Sequence, residues 1–429
     1  MDVILGFFFL FLYLDRIVDD TLIKVLPLAI LFYLSLKYYI KSSRIKSKVK
    51  KRDNTPVIFY LIIALMSIGV LRNNNPLIVS SAVYEIFCSF ILFNVTCYQV
   101  FKYIDLKYKD GIDVYYYVIM TPFFMFVVLN LLFWALGIRG VDADAPDIGD
   151  SVTLSYLGFN VSRVMFPFTN GINAYGSLIG AVFAIQLVYV FVLGRKNLVS
   201  FIFLGSFIVT LLLTDSRLAI VFPILVAIGI YFIKKRKTIK FIRILPWFLI
   251  IGPVLLLTLL PLIANNSALQ NFSRSSQDLV TGNSRFVIWG FALLELSNFS
   301  IFHVVGYGLF GHYASGASLK WAYIFGFSEN SIMIHPHNSV LSVIFDYGYI
   351  FLILFMYYLT KTVRFCINYW NIKREAVILY LGFFSYFVVI STTESFFGFY
   401  YLNAIYFIFA FFFFINRVAG SKTPSSYAK

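Results

Sequence analysis

The sequence predicts an all-α polytopic membrane protein. Three observations carry that prediction. The 429 residues are 60% hydrophobic and only 13% charged, whereas an ordinary soluble domain carries about 25% charged residues. Apolar runs long enough to cross ~30 Å of hydrocarbon recur along the whole chain. The alternating segments of roughly ten residues that mark a membrane β-barrel do not occur.

Taken in order, the expected spans cover approximately 3–14, 21–40, 56–71, 77–99, 114–136, 172–193, 198–213, 218–233, 244–263, 338–360, 376–393 and 399–416. The first is short for a crossing. Together they make about twelve transmembrane helices. Residues 1–263 hold the first nine, with an outward loop at 137–171. Residues 264–337 form a large hydrophilic loop. Residues 338–429 hold the last three spans and the tail. The N-terminus lacks a basic n-region and an A-x-A site, so no cleaved signal peptide is expected. Cys88, Cys97 and Cys366 fall in or near the inner half, so no disulfide framework is expected either.

The net charge is +15. Its distribution is what matters. Segments 41–55 (KSSRIKSKVKKRDNT), 234–243 (KKRKTIKFIR) and 361–375 are basic, and alternation of the spans puts all three on one side. That side is therefore cytoplasmic, and both termini lie there. The charge is a topology signal first and a contact for anionic membrane lipid second. Nucleic acid is not an expected partner. The outward basic residues differ in kind: Arg16, Arg72, Arg139, Arg163, Arg217, Arg274 and Arg285, with Lys320 the exception. Arginine presents a fixed fork to phosphate oxygens, so the outer face suits a phosphorylated ligand. The alternative is that single arginines snorkel or pair with the acidic stretch DADAPDIGD at 142–150.

The outer loops come next. SRVMFPFTNGINAYG (162–176) mixes Phe, Pro and Gly and predicts an irregular approach to the following helix. In the large loop, Asn283 or Ser284 is placed to cap an amphipathic helix through RFVIWGFALLELSNF, which is expected to lie on the membrane surface. GYGLFGHYASGAS then predicts a glycine-rich turn. All four histidines, His303, His312, His335 and His337, lie in this loop.

Several residues here suit anion chemistry. Arg217, in LTDSRLAI, sits in a tight turn between two spans. Arg285 opens the surface helix. His337 precedes Asn338 at the start of span 338–360. A helix N-terminus offers N–H donors and a positive dipole end. Two arginines, such a terminus and an imidazole would hold a diphosphate and assist a hydroxyl nucleophile. Each also has a plainer reading. His337 suits an interfacial hydrogen bond to backbone, and Arg217 an ion pair with Asp215. His335-x-His337 would bind metal only with a third ligand such as Glu329, and no metal or cofactor is expected. Trp289 and Trp321 offer flat faces for sugars. Charges within or near spans are Lys24, Glu85, Asp346 and Glu394.

HNSVLSVIFDYG (337–348) resembles the signature of the O-antigen polymerase and O-antigen ligase superfamily: His, then Asn, Ser or Gln, then nine residues and Gly. SRFVIW resembles the family's loop arginine followed by an aromatic, here Arg285 and Trp289. TDSRLA resembles its short-turn arginine, here Arg217. The likeness covers about 160–360. It implies a GT-C-like membrane fold and a multi-pass protein of the bacterial inner membrane. The large loop, its surface helix and the active site would then be periplasmic. It implies undecaprenyl-diphosphate-linked oligosaccharide as substrate and inverting transfer without metal. Arg217 and Arg285 would hold the diphosphate and His337 the acceptor hydroxyl. Arg163, Asn338, Trp289 and His335 would line the substrate site. A chain-length regulator protein is the partner such an enzyme implies. Where the family often has another small residue three positions after the Gly, this chain has Phe351, which with its Phe/Tyr/Ile/Lys/Asn-rich composition favours a polymerase over a ligase. A lipid-linked oligosaccharide flippase is the expectation of another class. It would line a central path with ionisable groups, whereas this chain gathers its polar residues in one outer loop.

Overall fold

A computed structural model describes residues 21–43, 55–72, 112–140, 151–156, 161–169, 171–236, 239–263, 284–325 and 334–396, with isolated positions between 83 and 100 and at 158–159. Among them the regular elements are all helical. We number them α1 (Thr21–Ser43), α2 (Thr55–Leu71), α3 (Ile112–Ala135), α4 (Val152–Tyr156), α5 (Ile172–Leu187), α6 (Leu198–Thr214) and α7 (Arg217–Arg236). They continue with α8 (Phe248–Ile263), α9 (Arg285–Ser297), α10 (Ile301–Val305), α11 (Gly311–Ala314), α12 (Ser339–Tyr369) and α13 (Arg374–Ile390). Nine of the expected spans coincide with these helices to within several residues. The exception at one end is α12, which runs on to Tyr369 through part of the segment read as a basic loop. Spans 3–14 and 399–416 and most of 77–99 lie outside the described residues.

By length and composition, four stretches among the described residues are apolar enough to cross a membrane: Ile172–Val192, Arg217–Arg236, Ile239–Leu259 and Ser339–Tyr369. Shorter apolar helices cover Leu26–Lys37, Tyr60–Leu71, Met120–Ala135 and Leu198–Thr214. The protein is membrane-embedded in character.

The bundle is built around α5. Its span is 94% buried, whereas that of α7 is only 22% buried. The difference follows from side-chain size. Gly176, Gly180 and Ala184 fall four residues apart on one face of α5, which lets neighbouring backbones approach closely. A methyl group on Gly176 would meet Ser216 Oγ at 1.9 Å, and one on Gly180 would meet Tyr386 Oη at 2.1 Å. So α7 and α13 both pack tightly on α5. The outward side of α7 carries Val221, Ile224, Leu225, Ile228 and Phe232, all exposed and apolar, as a face toward lipid requires.

The two ends of the bundle differ. At one, Lys234, Lys235 and Arg236 complete the last turn of α7, where cations oppose the helix dipole. There Arg374, which opens α13, donates to the carbonyl of Lys234, and Arg195 pairs with Glu375. The opposite end gathers the start of α5, the turn between α6 and α7, the close of α13 and the start of α12. Ser339 N–H, opening α12, donates to Ser391 O just past α13.

Two loop features position this second end. α12 breaks at Gly348, whose φ of 81° and ψ of 176° no side chain adopts readily. The break leaves the carbonyls of Phe345 and Asp346 for other donors. Tyr307 N–H and Gly308 N–H take them at 2.7 and 3.0 Å, and Gly311 N–H donates to the Asp346 carboxyl at 2.8 Å. The glycine-rich stretch is therefore backbone docked into a broken helix, with short helical turns beyond it, rather than a simple turn.

Candidate functional site

The site forms where residues 391–396 fold back over the start of α12. The chemistry of that junction is dictated by small polar side chains. Asn338 caps α12: its Oδ1 accepts from Val340 N–H at 2.9 Å and Leu341 N–H at 3.0 Å. Its Nδ2 donates to Thr392 O, and Ser339 Oγ donates to Glu394 O. Phe396 N–H donates to Ser339 Oγ, and the hydroxyls of Ser342 and Ser395 pair at 2.6 Å. These bonds fix the backbone on both sides of Glu394.

The Glu394 carboxylate then joins two residues far away in sequence. Arg285 Nη2, 109 positions earlier, donates to Oε1. His337 Nδ1, 57 positions earlier, lies 3.1 Å from Oε2. Burial alone pushes the Glu394 carboxyl up, but the Arg285 guanidinium and the His337 hydrogen bond outweigh it and hold the group at about 2. The group is therefore a carboxylate and has no proton to give. Nδ1 of His337 must donate, which leaves Nε2 as a lone-pair acceptor when the ring is neutral.

His337 itself sits at φ 48°, a left-handed conformation that costs a non-glycine residue about 1 kcal/mol or more. Its surroundings impose it. His337 N–H donates to His335 Nδ1 at 3.2 Å. Burial, and then the neighbouring His337, keep His335 well below the usual imidazole range, so His335 is neutral and accepts at Nδ1. Trp289, 2% exposed, donates from Nε1 to Pro336 O at 2.9 Å. Trp321 donates to Ile334 O at 3.2 Å. The two indoles thus hold the backbone of the histidine segment at Ile334 and Pro336.

The side chains expected to act together are placed as follows. Arg285 and His337 meet at Glu394. Arg217 stands on a separate element of the same end, opening α7 directly after the turn that closes α6. Asp215 in that turn is left-handed at φ 51°. Its carboxylate accepts from Val152 N–H, Thr153 N–H and the Thr153 hydroxyl, pinning α4 onto the turn. Arg163 joins the same turn, donating from Nε to Thr214 O at 3.2 Å. The two groups are linked through α5. Ser216 packs on Gly176, and Tyr386 Oη, on the helix that leads to Glu394, donates to Ser177 O at 3.0 Å.

Several expectations need correction. The start of α12 is not an open anion site, because Asn338, Ser391 and the ordinary helical bond of Ser342 N–H to Asn338 O occupy its first four N–H groups. Asn338 is thus spent on capping. Ser284 stands at the start of α9 but makes no side-chain cap there. The faces of Trp289 and Trp321 are buried, so neither is a platform for sugar. Glu394 is the residue that sequence reasoning left out. It was marked only as a charge near the end of a span. Glu329, Asn283, Arg16, Arg274 and the acidic stretch 142–150 lie outside the described residues. No group of three or more metal-ligating side chains occurs among the described residues.

Comparison of the chain with protein families, with curated proteins and with solved structures finds no match.

Proposed function

We propose that this protein is a membrane glycosyltransferase that polymerises a polysaccharide, moving a growing glycan from undecaprenyl diphosphate onto a lipid-linked repeat unit. One observation carries the reading: a buried carboxylate joins Arg285 and His337 at the end of the bundle opposite the lysines. Positive residues concentrate on the cytoplasmic side of membrane proteins, so this end faces the periplasm of a bacterial inner membrane.

The reaction asks for two things. An acceptor hydroxyl must lose its proton as it attacks the anomeric carbon, and the diphosphate must leave with its charge met. Nε2 of His337 takes the proton, a contribution of about 10²–10⁴-fold. Arg285, with Arg217 and Arg163 on the neighbouring turn, meets the charge on the departing undecaprenyl diphosphate. The new C–O bond forms opposite the bond that breaks, so the anomeric configuration inverts.

Replacing Arg285 or His337 by Ala should abolish polymer-length glycan, in His337→Ala while the protein level stays normal. Normal polymer in both variants would refute the assignment. Deleting the gene separates the two transfers: a lipopolysaccharide core bearing one repeat marks a polymerase, whereas a bare core with long lipid-linked chains marks a ligase.

A further inference from the structure

Glu394 does more than neutralise a buried arginine. Its two oxygens are divided, Oε1 to Arg285 and Oε2 to His337. The three side chains, Arg285, Glu394 and His337, keep 15%, 11% and 19% of their surface exposed. The other titratable groups facing the imidazole are His335 on its own segment and, behind it, His312 on α11. His335 is neutral, and the opposite charges of Arg285 and Glu394 are matched to each other. An arriving diphosphate therefore finds an arginine already matched.

We propose that Glu394 is a positioning residue whose carboxylate is released by Arg285 to serve His337 alone when a diphosphate binds. This rests on the reading of the site as one for a diphosphate-linked donor. The anion carries more charge than a carboxylate and takes the guanidinium fork. Glu394 cannot follow, because the bonds of Ser339, Asn338 and Phe396 hold its backbone. Its carboxylate stays on Nδ1–H of His337. When Nε2 takes the hydroxyl proton, the imidazolium then faces a carboxylate that no longer serves Arg285. The bond between anomeric carbon and diphosphate breaks, and the proton rests on His337. Proton removal is thereby tied to an occupied donor site.

The test uses the full chain in lipid nanodiscs, titrated with inorganic pyrophosphate, beside polymer length in cells. Glu394→Gln removes the competing charge and keeps a hydrogen-bond acceptor. It should bind pyrophosphate about tenfold tighter than the natural chain, a difference of 1.4 kcal/mol. It should also lose about 10²-fold in polymerisation. Glu394→Asp restores the charge at a shorter reach and should bind pyrophosphate more tightly than the natural chain but less tightly than Glu394→Gln. A merely structural role would not tighten anion binding. Glu394→Gln that folds and binds pyrophosphate no tighter than the natural chain would overturn the proposal. Should that variant fail to fold, Glu394→Asp decides. Its shorter reach loosens the hold on Arg285, so tighter binding supports the hand-over and unchanged binding overturns it. The two readings fail separately. If Arg285→Ala binds pyrophosphate normally and His337→Ala still polymerises, the donor reading falls. If both lose function while Glu394→Gln gains nothing, only the hand-over falls.

Discussion

Among the described residues, two arginine–glutamate pairs stand at opposite ends, and they are chemically alike but physically different. Arg195 and Glu375 meet at 3.1 Å with 42% and 54% of their side chains exposed. Arg285 and Glu394 meet with 15% and 11% exposed, and Glu394 also binds a histidine. Water screens the first pair, which holds two long side chains in place for little return. The second is desolvated, so each partner depends on the other. The lesson is that like charges in this chain are solvated at one end and buried at the other, and that burial, not residue type, divides them.

The largest contrast is in stability. Glu394→Ala leaves a buried guanidinium uncompensated and should cost about 3–5 kcal/mol. Glu375→Ala should stay within about 0.5 kcal/mol. Thermal unfolding of the two variants in the same detergent measures both. Equal shifts would erase the distinction between the ends.

A smaller effect should appear with acid. The Glu394 carboxyl stands at about 2 in the folded protein against an ordinary 4.5. Its folded value is depressed, so its contribution is full above 4.5 and is lost as the pH falls from there toward 2. The amount is on the order of 3 kcal/mol. Melting temperatures measured from pH 6 down to 3 should drop more steeply for the natural chain than for Glu394→Gln, which has nothing to titrate. Parallel curves would show that the pair does not depend on charge.

How much of this could be read beforehand follows from the range of the forces involved. The helices were legible because crossing hydrocarbon requires an unbroken apolar run, a local property of α5, α7 and α12 alike. Arg285, His337 and Arg217 were legible as residue types suited to an anion. Their grouping was only half visible. Glu394 sits in a short polar turn, TTES, that no spacing rule connects to a position 109 residues earlier. Asn338 was placed correctly beside a helix start, but whether that terminus stays open depends on its rotamer. From the sequence, Trp289 offers a flat face for a sugar. Its burial comes from a cluster with Ala317, Trp321, Leu341 and Phe345, residues that reach it only once the chain has folded back.

That indole offers the finest probe of the buried pair, since the exposed pair has no comparable clamp among the bonds described. Trp289→Phe keeps an aromatic ring in the buried cluster with Trp321 and Phe345 and deletes one hydrogen bond, to Pro336 O. The loss to stability should be about 1 kcal/mol, with a further penalty for the carbonyl left behind. The loss in polymer length should be larger than that figure alone produces, because Pro336 precedes a histidine held at φ 48° and a freed segment relaxes away from the left-handed region. Glycan length measured beside the melting temperature separates the two. A variant that melts lower yet polymerises at the natural rate would mean that the His337 backbone is held by His335 and Asn338 without help from the indole.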